Sequence, residues 1–149
     1  VLRPESRGWV KLKSSDPAVA PAINPNFLSD ERDLHLLRDA ARLMYRIAET
    51  PPLSDMGARD RSPIDYNDDA ALETRIREVS DTIYHPVGTC RMGGDADSVV
   101  DPRLKARGVD GLWIADASIM PRLVSGNTNA PSIMIGERAA DFVKAELAA

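Results

Sequence analysis

Residues 84–93 read Tyr84-His85-Pro86-Val87-Gly88-Thr89-Cys90-Arg91-Met92-Gly93, and residues 112–116 read Leu112-Trp113-Ile114-Ala115-Asp116. The fold turns on these two runs and on a third, Ser125-Gly126-Asn127-Thr128-Asn129-Ala130-Pro131-Ser132-Ile133-Met134-Ile135-Gly136-Glu137. In the first run, an imidazole with an ordinary pKa near ~6.5 can exchange a proton at neutral pH unaided. Pro86 restrains the backbone beside it, and Gly88 lets the chain turn sharply just after. His85 therefore reads as a held side chain, either a hydrogen-bonded core histidine or a proton acceptor. Cys90, between Thr89 and Arg91, reads as a small packing residue rather than a nucleophile. The second run is continuously apolar and predicts a strand buried on both faces, of the kind found in parallel sheets. Asp116 ends it, where ligands sit in open α/β sheets. It either caps the following turn or bonds a sugar-like hydroxyl or a bound water. In the third run Asn129 is predicted to cap a helix from Ala130 to Leu147, with Pro131 tolerated in the first turn. Ile133, Ala140, Val143 and Leu147 are its predicted inner face. A helix start is also a site where N–H groups and the dipole stabilise a group gaining negative charge.

Outward toward the N-terminus, Asn67 is predicted to cap a helix to about Ser80, with Leu72, Ile76 and Val79 on its buried stripe. Ile83-Tyr84 reads as a short apolar step of strand type. A longer helix is predicted from a cap at Ser29 or Asp30 to about Glu49, stopped by Thr50-Pro51-Pro52. Leu34, Leu37, Ala41, Met44 and Ala48 share its apolar face, while His35 reads as a structural or surface residue. Residues 53–66 are predicted irregular. Pro17, Pro21 and Pro25 make residues 14–26 a loop. Trp9-Val10-Lys11-Leu12-Lys13 alternates and predicts a half-buried strand. Asp110-Gly111 is good hairpin-turn chemistry.

The chain has 149 residues, 43% hydrophobic and 28% charged, enough for a globular domain that buries roughly 70% of its unfolded surface. Its 19 basic and 23 acidic residues give a net charge of -4 and never form a run of five like charges. That argues against a nucleic-acid arm or a polybasic membrane anchor. One cysteine excludes an internal disulfide, and with two histidines it makes a structural metal site unexpected. No apolar run approaches the roughly 20 residues needed to span a bilayer. No signal peptide is visible, which points to a cytoplasmic location. The nine glycines never fall as G-x-G, so neither a dinucleotide fingerprint nor a P-loop is present. The abrupt opening at Val1-Leu2 reads as a cut through a larger chain.

Taken together, the run from Tyr84 to Gly93, Val100-Asp101-Pro102-Arg103-Leu104, the run from Val109 to Met120, and the run from Ser125 to Glu137 closely resemble the C-terminal motifs of the glucose–methanol–choline (GMC) oxidoreductases, in that family's order. Leu2-Arg3-Pro4-Glu5-Ser6-Arg7-Gly8 and Asn24-Pro25-Asn26-Phe27-Leu28 resemble the family as well, and the Asn-Ala-Pro form at 129–131 is choline dehydrogenase-like.

The resemblance implies a mixed α+β and α/β fold, the C-terminal part of such an enzyme. Residues 1–98 would belong to the substrate-binding part, and 99–149 would complete the FAD-binding domain. It implies FAD as cofactor, no metal, a small-molecule alcohol as substrate, and the N-terminal FAD-binding portion of the same enzyme as partner. His85 matches the active-site histidine and Asn129 the second active-site position. Asp116 and Ala117 match the pair at the ribityl and pyrophosphate region. Asn129, Ala130 and Pro131 match the helix start facing the flavin, and Tyr84 is a further flavin contact. On this reading the 149 residues alone are inactive. A hydroxynitrile-lyase-like, non-redox member and a non-catalytic excised piece are the alternatives.

Overall fold

A computed structural model describes residues 1–61 and 63–148. Residue 62 of the expected irregular stretch and residue 149 at the end of the expected 99–149 segment lie outside them. The element order is β1 (Trp9–Lys11), β2 (Ala22–Asn24), α1 (Glu31–Ala48), α2 (Asp69–Val79), a 3-10 turn (Ala117–Ile119) and α3 (Asn129–Leu147). Two compact units result, one of Val1 with Arg3–Asp81 and one of Leu2 with Thr82–Ala149.

In the first unit, β1 and β2 pair antiparallel, with Trp9 opposite Asn24 and Lys11 opposite Ala22. The sequence predicted β1 but gave β2 to a loop, and β1 is exposed along its whole length rather than half-buried. Gly8 precedes this hairpin because nothing larger fits: a Cβ there would lie 2.2 Å from the Asn24 carbonyl oxygen. Helix α1 starts where Asp30 accepts a hydrogen bond from the Arg32 N–H. Helix α2 starts one residue later than expected, with Asp68 rather than Asn67 accepting from Ala70 and Ala71. The two helices meet through Leu34, Leu72 and Ile76, with Leu28, Leu37, Ala41, Ile64 and Tyr66 around them. The predicted stripes overreach at their ends: Met44 and Val79 are exposed.

Arg38 bonds Asp69 and Glu73 at 2.8 Å, and Arg42 bonds Asp69 and the Tyr66 carbonyl, tying the polar edges of the helix pair. The Arg42 guanidinium, first, and Arg38 hold the Asp69 carboxyl below its usual range. A second anchor is Asp33, whose carboxylate accepts from the Glu5 N–H, the Ser6 N–H and the Ser6 hydroxyl. Burial alone would raise its pKa; the Ser6 hydroxyl and the two N–H groups outweigh burial and lower it.

The second unit packs Val100, Leu104, Ile119, Met120, Ile135 and Ala139 into one core. Residues 88–120 are mostly irregular, held by main-chain bonds from Cys90 to Ser118, Met92 to Ile119 and Ile114 to Leu104. Residues 112–115 are not a doubly buried parallel strand: Leu112 and Ala115 are exposed, and the segment pairs only through an antiparallel bridge from Trp113 to Lys105. The Asp110-Gly111 turn lies between the partners of that bridge, with Gly111 at φ +70. Helix α3 turns Ile135 and Ala139 inward, with Phe142 partly buried against the same core, while Ile133 and Leu147 are exposed. No strand forms at Ile83-Tyr84, where Tyr84 takes a left-handed backbone with φ 63.

Candidate functional site

The second unit brings His85 to the start of α3. The His85 Nδ1 lies 3.1 Å from Thr128 Oγ1 and 3.5 Å from the Thr128 main-chain nitrogen. Thr128, not Asn129, is the N-cap residue of α3. It is buried, yet its side chain makes no cap hydrogen bond. A cap side chain serves the N–H groups two or three positions on. Here the third position is Pro131, which has none, and the hydroxyl turns to His85 instead.

Three further details shape this corner. Ser132 donates both its N–H and its hydroxyl to the Thr128 carbonyl, closing the first turn of α3. Ahead of it, the Asn129 and Ala130 N–H groups find no acceptor among the described residues. They add their partial positive charge to the dipole of a long helix. His85 Nε2 likewise has no partner among the described residues, and His85 is half-buried.

The remaining expected positions divide. Tyr84 precedes His85 and stands 78% exposed. A bulky residue at positive φ is uncommon and is often kept at functional sites. Asp116 is the cap of the 3-10 turn: its Oδ1 accepts from the Ser118 N–H at 2.8 Å. Ala117 opens that turn, and the run from Gly88 to Met92 lies alongside it, through Cys90 to Ser118 and Met92 to Ile119. Gly88 itself has φ +92, and a Cβ there would sit 3.4 Å from the Met120 carbonyl oxygen. The His85 loop and the Asp116 turn are thus packed against each other. The structure joins His85 directly to Thr128, not to Asn129, whose exposed side chain stands one residue further along. Thr128 is the residue the sequence did not reveal.

Beyond the site, Arg91 closes a loop by pairing with both oxygens of Asp95 at 2.9 and 2.7 Å. That guanidinium drives the Asp95 carboxyl far below its usual range. Cys90 is half-buried, as a packing residue would be. Among the described residues no three or more His, Cys, Asp and Glu side chains gather as metal ligands. No described helix is long and apolar enough to cross a membrane.

A family model described as GMC oxidoreductase matches residues 4–136. The chain belongs to the GMC oxidoreductase family. It is 48% identical over 149 residues to an uncharacterized GMC-type oxidoreductase of Mycobacterium tuberculosis, covering 97% of this chain and 28% of that protein. It is 44% identical over 144 residues to an oxygen-dependent choline dehydrogenase of Klebsiella pneumoniae, covering 96% of this chain and 26% of that one. A solved Aspergillus oryzae formate oxidase, examined for the modification of its FAD, superposes with a TM-score of 0.91 at 31% identity, over 98% of this chain and 26% of that one. This GMC chain therefore spans about a quarter of the length of the relatives it matches.

Proposed function

We propose that this chain is the C-terminal portion of an FAD-dependent enzyme that oxidises the CH–OH group of an alcohol, with His85 as the base that takes the hydroxyl proton. The observation that carries the reading is the tie between His85 Nδ1 and Thr128 at the head of α3, which leaves Nε2 as the unengaged ring nitrogen.

The residues fit a flavin by the chemistry of their donors and acceptors. The Asn129 and Ala130 N–H groups at the head of α3 suit an acceptor edge that gains negative charge. One Asp116 oxygen is committed to Ser118, and the other is left to accept from a ribityl hydroxyl. Ala117, Pro131 and Tyr84 are the further positions that the family resemblance assigns to the flavin. Tyr84, at 78% exposure, and Ile133, at 61%, are apolar surface that a cofactor and the rest of the enzyme would cover. When bound, FAD supplies the hydride acceptor at its N5.

The proton is handled by this chain. Neutral His85 takes it at Nε2 as the substrate O–H bond breaks, and becomes the imidazolium. The Asn129 side-chain amide donates to the substrate oxygen and fixes its position; it has no basic nitrogen and does not take the proton. On this reading residues 1–98 shape the substrate side, residues 99–149 complete the FAD-binding domain, and the segment alone is inactive.

The test is stopped-flow reduction of the flavin by substrate in the full-length enzyme. His85→Ala is expected to slow reduction by about 10²–10⁴-fold. Reduction at the normal rate would end the assignment. Substrate turnover with no bleaching of the flavin would point to the lyase-type alternative.

A further inference from the structure

We infer that Thr128 is a positioning residue for this chemistry: its side-chain oxygen accepts the Nδ1–H of His85 and so keeps the ring's lone pair on Nε2. The inference rests on the reading of His85 as the base.

A neutral imidazole carries one proton, and the partners of the two ring nitrogens decide where it sits. Nδ1 faces two groups of the same residue, the Thr128 hydroxyl at 3.1 Å and the Thr128 main-chain N–H at 3.5 Å. They act differently. The main-chain N–H can only donate, so it favours a bare Nδ1 with the proton on Nε2. The hydroxyl can donate or accept. It is therefore the group at this contact that can hold the proton on Nδ1 and leave Nε2 able to act as a base.

Two features commit the hydroxyl to this task. It makes no cap bond to its own helix, because Pro131 removes one of the usual cap donors. It is also buried, so a contact with His85 lost here is poorly replaced by water. When Nε2 takes a proton, the Nδ1–H to Oγ1 bond becomes charge-assisted and strengthens. The hydroxyl thus favours the protonated ring that proton transfer creates.

Thr128→Val separates the two groups. Valine keeps the branched shape and the main-chain N–H but deletes the acceptor, so the proton shifts to Nε2 and the ring presents a donor where a base is required. Thr128→Ser keeps the acceptor. Both variants are made in the full-length enzyme and checked for a normal flavin spectrum. The rate of flavin reduction is measured together with the ¹⁵N spectrum of selectively labelled histidine in the resting enzyme.

Thr128→Val is expected to reduce the flavin about 10–100-fold more slowly, as loss of an orienting partner does. Substrate affinity should stay within about twofold, and the His85 resonances should move to the Nε2–H pattern. Thr128→Ser should restore both. A Thr128→Val enzyme with a normal rate, or with an unchanged tautomer, overturns the inference while His85→Ala remains defective. Should His85→Ala be unimpaired, the base reading fails first and takes this inference with it.

Discussion

Asp33→Asn changes one atom and leaves shape almost untouched, so its effect follows from the hydrogen bonds alone. The Asp33 Oδ2 accepts from the Ser6 N–H at 2.8 Å and the Ser6 hydroxyl at 2.6 Å, and the Glu5 N–H lies 2.9 Å from Oδ1 and 3.1 Å from Oδ2. An asparagine would place its carbonyl at the Oδ2 position and keep both Ser6 bonds. Each would then be neutral, dropping from about 1.5–3 to about 0.5–1.5 kcal/mol, a loss of roughly 1 kcal/mol apiece. The Glu5 N–H would keep its 3.1 Å contact with the Oδ2 position but lose the 2.9 Å one to a facing amide NH₂, for roughly 1 kcal/mol more. The sum is about 3 kcal/mol, or roughly a hundredfold in the opening equilibrium of this segment.

Native-state hydrogen exchange at the Glu5 and Ser6 amides reads that quantity directly. The Asp33 carboxyl titrates below 3.8 in the folded chain. Its contribution is therefore complete above that value, and fades as the pH falls through the depressed folded value. Exchange in Asp33→Asn accelerated by less than about threefold at neutral pH would show that the charge does not hold this segment, and would refute the reasoning.

Other expectations follow from single contacts. Gly88→Ala should slow flavin reduction and cost about 1 kcal/mol or more of stability, because φ +92 is strained for any side chain; an unaltered rate would separate this turn from His85. Carboxyl NMR should find Asp95 protonating far below 3.8, and Arg91→Leu should return it toward that value. The paired Asp95 contributes stability above the ordinary carboxylate pKa, lost as the pH falls through the lowered one. Leu72→Ala, at a side chain 2% exposed, should cost about 2–5 kcal/mol by denaturant titration.

The parts of this fold that were legible in the sequence are those set by local periodicity. Leu34, Leu37 and Ala41, and Leu72 with Ile76, recur at helical spacing, and both helices formed where expected. Strand β2 was hidden because Pro21 and Pro25 bracket three residues whose pairing depends on a distant partner. The run at 112–115 was misread because apolarity does not state which neighbours will cover it. The inward face of α3 was missed because Ile133, Met134 and Ile135 are all apolar, and the core alone selects Ile135. His85 and Asp116 could be singled out as candidates from their neighbours in sequence. Thr128 could not, because Asn127, Thr128 and Asn129 are all competent caps and only the folded chain shows which hydroxyl meets the imidazole.

That diverted hydroxyl sets a trap for protein engineering. The N-terminus of α3 resembles an easy target for thermostabilisation, since it has an unfilled cap and two idle donors. Replacing Thr128 by aspartate is a standard repair, which commonly adds about 0.5–2 kcal/mol. At this position it would press an anion against His85 and bias the ring toward its charged form before any alcohol arrived. A sturdier helix would then come with the proposed base, His85, already occupied in the resting enzyme. On the proposed reading of His85 as the base, the weak cap is the place where stability yields to turnover.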